Sequence, residues 1–266
     1  MPGDFNYRIL EETTHRPWPM PDGPWIMSQT WHNLLFAHWR IDVQLLVSKV
    51  PHPLQLDLFD QEAWLGVVPF RMTNVAPRGV PSLPWVSAFP ELNVRTYVRF
   101  EDKPGVYFFS LDAGNPLAVV AARTLFHLPY YLAAMQVEEG SETIHYNSER
   151  TGGSLSRAES IAAPAKLTAT YRPVGAVFQP KPGSLEHFLT ERYCLYTVDG
   201  GRPYRLEIHH LPWPLQVAEA DIAANTMPEA AGLTPPSMKP LLHFAKRQDV
   251  VAWPLERLTS RTGTEA

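Results

Sequence analysis

The chain is poor in the residues that cross-link, anchor or heavily charge a protein. It has one cysteine, Cys194, so no disulfide can form within it, and a reducing, cytoplasmic setting is the natural expectation. Lysine is scarce, with six in 266 residues; Lys plus Arg (23) fall short of Asp plus Glu (27), which leaves a formal net charge of −4. A nucleic-acid binder needs a basic face to replace phosphate counterions, so nucleic acid is not an expected partner. The longest uncharged apolar run, 117–122, is far below the ~20 residues that span a bilayer, and no membrane partner is expected. The opening MPGDFNYRIL lacks the basic segment and apolar stretch of a secretory signal.

Familiar catalytic signatures are missing too. There is no G-x-S-x-G turn to raise a nucleophilic serine, no G-x-x-x-x-G-K-[ST] or G-x-G-x-x-G loop to cradle phosphates, and no H-E-x-x-H to hold zinc. The ten histidines are scattered. His32 and His38, six apart, would face one side of an unbroken strand; His209 and His210 would face opposite sides. Neither pair has a carboxylate at ligand spacing, so no metal or other cofactor is expected.

What the chain does have is proline, 27 residues or roughly twice average usage, and eight tryptophans. With 45% hydrophobic and 19% charged residues it can bury a substantial core. Short strands, frequent turns and aromatic packing are expected rather than a helical bundle. The proline-rich 15–25 cannot be regular helix, so 1–24 reads as an N-terminal arm packed through Trp18 and Trp25, followed by a single domain over 25–256 and a flexible polar tail over 257–266.

Strands are expected at 34–41, 131–137, 142–148, 166–172 and 250–253. Hairpins are expected at 54–58 with 63–72, at 91–100 with 106–111, and at 193–198 with 202–210 around Asp199-Gly200-Gly201. Helices are expected at 43–49 behind Asp42, from Asn115-Pro116 to about 126, and at 185–192 behind Ser184. Many strands and three short helices predict a mostly-β domain, a barrel or strongly curved sheet. Cys194 reads as a small core hydrophobe, and the Trp-Pro pairs as packed strand ends.

The informative stretch runs from Glu91 to Tyr131. Glu91, Asn93 and Arg95 share one strand face, Arg123 sits late in an otherwise apolar helix, and Tyr130-Tyr131 follow Pro129 directly. One reading is a structural salt bridge, Glu91 with Arg95 or Arg123, at the edge of the core. The other is a polar pocket whose guanidinium groups are placed for a carboxylate ligand. Burial would raise the pKa of Glu91 and a guanidinium would lower it; the arginine is expected to win.

FPELNVRTYV (89–98), PGVYFFSLDA (104–113), AVVAARTLFHLPYYLA (118–133) and FLTERYCLY (188–196) resemble the YqjF-like family of uncharacterised bacterial proteins, over most of the chain. That family in turn resembles the acetoacetate decarboxylases, which implies a mostly-β (α+β) fold, a curved, cone-shaped β-barrel with a few short helices and a buried pocket. Arg40-Ile41-Asp42 through Pro51-His52-Pro53-Leu54 and Asp57 looks like that family's strand–helix–P-x-P-L opening. Glu91 looks like its pocket glutamate, Arg123 like the arginine of its G-R-E segment, His32 like a basic pocket position, and Val68 stands where a second acid is usual.

The departure concerns the nucleophile. Seven residues after that arginine the family has P-K-K, and its first lysine forms the Schiff base; here Pro129 is kept, and Tyr130 and Tyr131 replace both lysines. Imine chemistry needs an amine with a depressed pKa, which a phenol cannot supply. Lys103 and Lys181 sit in Pro-Gly turns, Lys49 ends a helix, Lys239 and Lys246 lie in the polar C-terminal region, and Lys166 merely starts a strand. Decarboxylation through a lysine imine is therefore rejected.

The expected partner is a small carboxylate or carbonyl compound, held by Arg95, Arg123, His32 and Tyr131, with a homo-oligomer also admitted. Three functions stay open. The first is an enzyme of lyase or hydrolase type on an oxo acid, with Tyr130 as hydrogen-bond donor or general acid and Glu91 as base. The second is a binding protein using the same residues, and the third a structural or interaction protein whose pocket Tyr130 and Tyr131 close.

Overall fold

The computed structural model describes residues 5–82, 87–151, 163–234 and 238–259. A short 3-10 turn, Tyr7–Glu11, lies in the arm and buries Ile9 against Val251 and Trp253. The body then runs β1 (Met27–Ile41), α1 (Val43–Val47), β2 (Gln55–Leu56), β3 (Ala63–Pro77), β4 (Phe89–Phe100), β5 (Lys103–Ala113), α2 (Pro116–Phe126), β6 (Tyr130–Glu139), β7 (Ile144–Arg150) and β8 (Lys166–Phe178). It continues with α3 (Leu185–Thr190), β9 (Cys194–Asp199), β10 (Arg202–His209), β11 (Leu215–Asn225), α4 (Met227–Ala230), β12 (Leu241–Ala252) and β13 (Glu256–Arg257).

All thirteen of these strands join one sheet, in the order β13-β10-β9-β5-β6-β7-β8-β11-β12-β1-β3-β4-β2. Two further pairings, β4 with β5 and β10 with β12, close it on itself twice. The larger circuit passes through β5, β6, β7, β8, β11, β12, β1, β3 and β4; the smaller passes through β5, β9, β10, β12, β1, β3 and β4. They share the wall β12-β1-β3-β4-β5 and part at its two edges. One edge of β5 pairs with β9 at Val106 and Tyr107 and with β6 from Leu111 to Ala113. In the same way β12 pairs with β11 at residues 243–245 and with β10 at Val251 and Ala252. At the first fork β9 comes so close that a Cβ on Gly105 would stand 2.6 Å from the Cys194 carbonyl oxygen, a space only hydrogen fits.

Because side chains alternate along a strand, the shared wall feeds two cores. Leu35, Ala37, Leu65, Val67, Leu92 and Val94 join Tyr146, Leu167, Tyr171 and Phe244 on the side of the larger circuit. Leu34, Phe36, Val68 and Phe70 join Phe108, Leu111 and Trp213 on the side of the smaller one. With both faces covered, these strands read as nearly continuous apolar runs.

Local chemistry explains the helix starts. The Asp42 carboxylate accepts from the Gln44 and Leu45 amides, Asn115 from Leu117 and Ala118 ahead of Pro116, and Ser184 from His187. The structure departs from expectation in three places. The tight turn after β2 is present, with Asp60 and Gln61 at positive φ, but β2 pairs with β4 rather than with β3. β12 is far longer than 250–253, and β11 and α4 lie in a stretch left unassigned from sequence. The β1 strand is not unbroken: Asn33 has φ of 52° and the register with β3 shifts between His32 and Ala37. At the C-terminus Arg257 pairs with Tyr204 and Leu258 is buried; the expected tail lies outside the described residues from 260 onward.

Candidate functional site

A cavity of about 190 Å³ lies on the smaller circuit's side of the wall. Its lining comes from β1, β3, β4, β5, β9, β10 and β12, with α2 closing one flank through Ala118, Ala121, Ala122 and Phe126. An apolar cavity of about 150 Å³ holds benzene, so this one takes a molecule of roughly six to nine non-hydrogen atoms. Most of the lining is aliphatic or aromatic; the polar exceptions include Glu91, Asn93, Arg95, Tyr130, Arg192 and His210.

Glu91, Asn93 and Arg95 reach the cavity because they alternate with Leu92 and Val94, which fill the other core. Tyr130 arrives by a different route. The helix α2 ends at His127 in the left-handed region, two residues carry the chain across, and Tyr130 opens β6 beside Leu111. Its hydroxyl donates to Glu91 Oε2 at 2.7 Å, and both side chains are buried. Burial pushes the Glu91 carboxyl up to about 8, the nearby charge of Asp112 adds to the rise, and the Tyr130 hydrogen bond opposes it. Glu91 is therefore mostly protonated at neutral pH.

The expectation that an arginine would hold Glu91 ionised is overturned. The carboxyl of Glu91 is met by Tyr130, while Arg95 turns away: its Nη2 donates to the Leu189 carbonyl at 3.2 Å and its guanidinium lies over the rings of Phe36 and Tyr97. With no guanidinium against the carboxyl, desolvation decides its titration.

Arg123, Tyr131 and His32 lie around the cavity rather than in its lining. Arg123 Nε donates to the Tyr130 carbonyl at 2.6 Å, so it fixes the backbone that presents the tyrosine. Tyr131 points to the other side of β6, with the Arg150 guanidinium 3.9 Å from its ring centre. That guanidinium makes a bidentate pair with the fully buried Asp112, at 2.7 and 2.8 Å. His32 bonds to Thr73 at 2.8 Å; the irregularity at Asn33 puts it out of phase with Phe36 and His38. Val68 lines the cavity as an apolar residue.

Three lining residues, Arg192, Trp213 and Asn93, were given no site role from sequence. Asp57 holds Arg192 at 2.6 Å, and its place in the P-x-P-L segment was the available signal. Trp213 seats its ring edge-on to Phe36, 4.9 Å between centres. Asn93 lay on the recognised strand face but was given no role. Cys194 also touches the cavity, yet burial pushes its thiol up to about 11, which makes it a poor nucleophile. Among the described residues no three His, Cys, Asp or Glu side chains are grouped to hold a metal ion, no lysine lines the cavity, and no helix is long and apolar enough to cross a membrane.

Residues 28–249 match the DUF2071 family, described as an uncharacterized conserved protein. The chain is 49% identical over 238 residues to the uncharacterized protein YqjF of Bacillus subtilis (strain 168), covering 90% of this chain and 95% of that one. Among solved structures, an acetoacetate decarboxylase from Legionella pneumophila shares the fold with a TM-score of 0.58 at 12% identity, over 98% of this chain and 99% of that one. The enduracididine biosynthesis enzyme MppR, complexed with pyruvate, does so with a TM-score of 0.58 at 9% identity, over 91% and 93%. The chain thus belongs to the DUF2071 family, in an acetoacetate-decarboxylase-like fold.

Proposed function

We propose that this protein binds a small organic acid or carbonyl compound in the cavity of the smaller circuit, with Arg95 as the anchor for a carboxylate. The carrying observation is that an otherwise apolar cavity keeps polar groups incompletely bonded: Arg95 Nε, Trp213 Nε1 and Asn93 Oδ1 have no hydrogen-bond partner among the described residues. Buried polar atoms are rarely left so unless a ligand or water completes them. The pyruvate in the MppR complex supports the same ligand class on a shared fold. Arg123 acts one step back, by holding the Tyr130 backbone. A cytoplasmic setting, where a lone thiol stays reduced, belongs to this reading.

A panel of small acids, aldehydes and ketones tests it by thermal shift. Binding to the native state alone stabilises by RT ln(1 + [L]/Kd), about 2.7 kcal/mol at a hundredfold excess over Kd. Arg95→Met should abolish the shift for carboxylates, whereas Arg123→Met should keep most of it. Absence of any shift at millimolar concentration would favour a closed, structural barrel.

A second reading, catalysis without an imine, rests on the Tyr130–Glu91 pair. A carboxyl titrating near 8 against a phenol 2.7 Å away can pass a proton to or from a bound oxo acid at neutral pH. Protonated Glu91 then serves as the acid, in place of the base expected from sequence. Turnover of an oxo-acid panel, lost in Glu91→Gln while binding persists, separates enzyme from binding protein.

A further inference from the structure

Three of the cavity's polar side chains lie in a row on one strand while Gln29, Tyr130, Thr190, Arg192 and His210 are spread over other segments, and the row describes a ligand. Glu91, Asn93 and Arg95 succeed one another on a single strand, β4, about 7 Å apart per step. Asn93 is 5% exposed and makes no side-chain hydrogen bond with a described residue. Arg95 spends one bond on Leu189 and keeps further N–H groups for an acceptor. Much of the remaining lining is aromatic and comes from many directions: Trp31 and Phe36 on β1, Phe70 on β3, Phe108 on β5, Phe126 on α2, and Trp213. Phe36 joins the two parts. The Arg95 guanidinium carbon stands 5.5 Å from its ring centre, and the Trp213 ring meets it edge-on.

We infer that the ligand is a monocarboxylate carrying one six-membered, preferably aromatic, ring, its carboxylate against Arg95 and Asn93 and its ring among the aromatic side chains around Phe36. This rests on the cavity being a ligand site, as proposed above. The volume suits it: a benzene-sized body needs about 150 Å³, and about 190 Å³ leaves room for a carboxylate but not for a second ring. Ring edges and faces offered from several sides favour a flat ligand beyond the area it buries. A guanidinium held at one end favours an anion over a neutral group of the same shape.

The test is calorimetric titration of the full chain with benzoate, cyclohexanecarboxylate, butyrate and benzamide. Benzoate should bind at least tenfold more tightly than butyrate and benzamide, with cyclohexanecarboxylate between. Phe36→Leu should erase most of the advantage of benzoate over butyrate; Phe108→Leu repeats the test should the first variant fold poorly. Butyrate binding as tightly as benzoate would overturn the ring inference and leave the cavity reading standing. Binding of none of the four, nor of any acid or carbonyl in the wider panel, would overturn both at the level of the cavity. Equal binding of benzamide and benzoate would remove the carboxylate from the inference.

Discussion

The two sides of the shared wall are built from the same strands and solve the same problem differently. On the larger circuit's side the charged groups are completed from within: Asp112 and Arg150 form a bidentate buried pair, capped by the Tyr131 ring. On the smaller circuit's side Glu91 has a phenol for a partner, Arg95 a single carbonyl, and Asn93 no described partner. A satisfied polar network rigidifies a core, whereas a half-satisfied one costs stability unless something else completes it. Ser110 Oγ and Ser148 Oγ on the larger circuit's side also lack a partner among the described residues, so the contrast is one of charged groups: there they are paired, and around the cavity the Arg95 guanidinium is left open.

The sharpest way to break this contrast is Arg150→Met. It leaves Asp112 buried beside no countercharge, and should cost about 3–5 kcal/mol on denaturant unfolding. A loss below about 1 kcal/mol would show that the filled side does not depend on its ion pair.

The next effect has the opposite sign. Between the unfolded pKa of Glu91 near 4.5 and its folded value of about 8, the unfolded chain releases a proton that the native state keeps, so stability falls as pH rises through this window. Glu91→Gln removes that penalty and still offers an oxygen to Tyr130. It should therefore stabilise the fold by about 3 kcal/mol at pH 7, have little effect below about pH 4.5, and flatten the fall in stability between about pH 4.5 and 8. Destabilisation at pH 7 would make Glu91 the equal of Asp112 and erase the contrast.

Tyr130→Phe should cost about 1 kcal/mol, since one hydrogen bond is lost from a carboxyl that is already neutral. It should also move the Glu91 titration upward, measurable by carbon-labelled carboxyl NMR, because the hydroxyl is the group that opposes the shift. Smallest of all, Arg123→Met should cost on the order of 0.5–1 kcal/mol in stability.

Much of this was legible in the residues. Asn115-Pro116 announces α2, Asp199-Gly200-Gly201 announces the turn between β9 and β10, and the alternation from Glu91 to Arg95 places three polar side chains on one face. The closures were not legible, because they depend on pairings between distant strands. The Ala-rich β11, which also carries Glu219 and Asp221, is a poor strand by propensity and is held in place by β8. One residue out of phase misled the reading of His32: a strand's faces exchange at an irregularity such as Asn33, and nothing local announces it. The pKa of Glu91 went astray for a related reason. Two residues' separation on a strand shows a shared face, but not that Arg95 reaches past its neighbour to Leu189.

The double closure bears on how the chain is made. Both circuits need β12, which meets β1 along its length, β11 near its start and β10 at its end. A ribosome that has reached residue 240 has delivered β1 through β11, yet neither ring can shut. The nascent chain therefore carries both interiors open to solvent until Leu241–Ala252 emerges, and only then do filled core and cavity form together. A chain stopped short of that segment loses the two compartments at once rather than one, so a product with a working cavity and an unfinished larger barrel, or the reverse, has no route by truncation from this end.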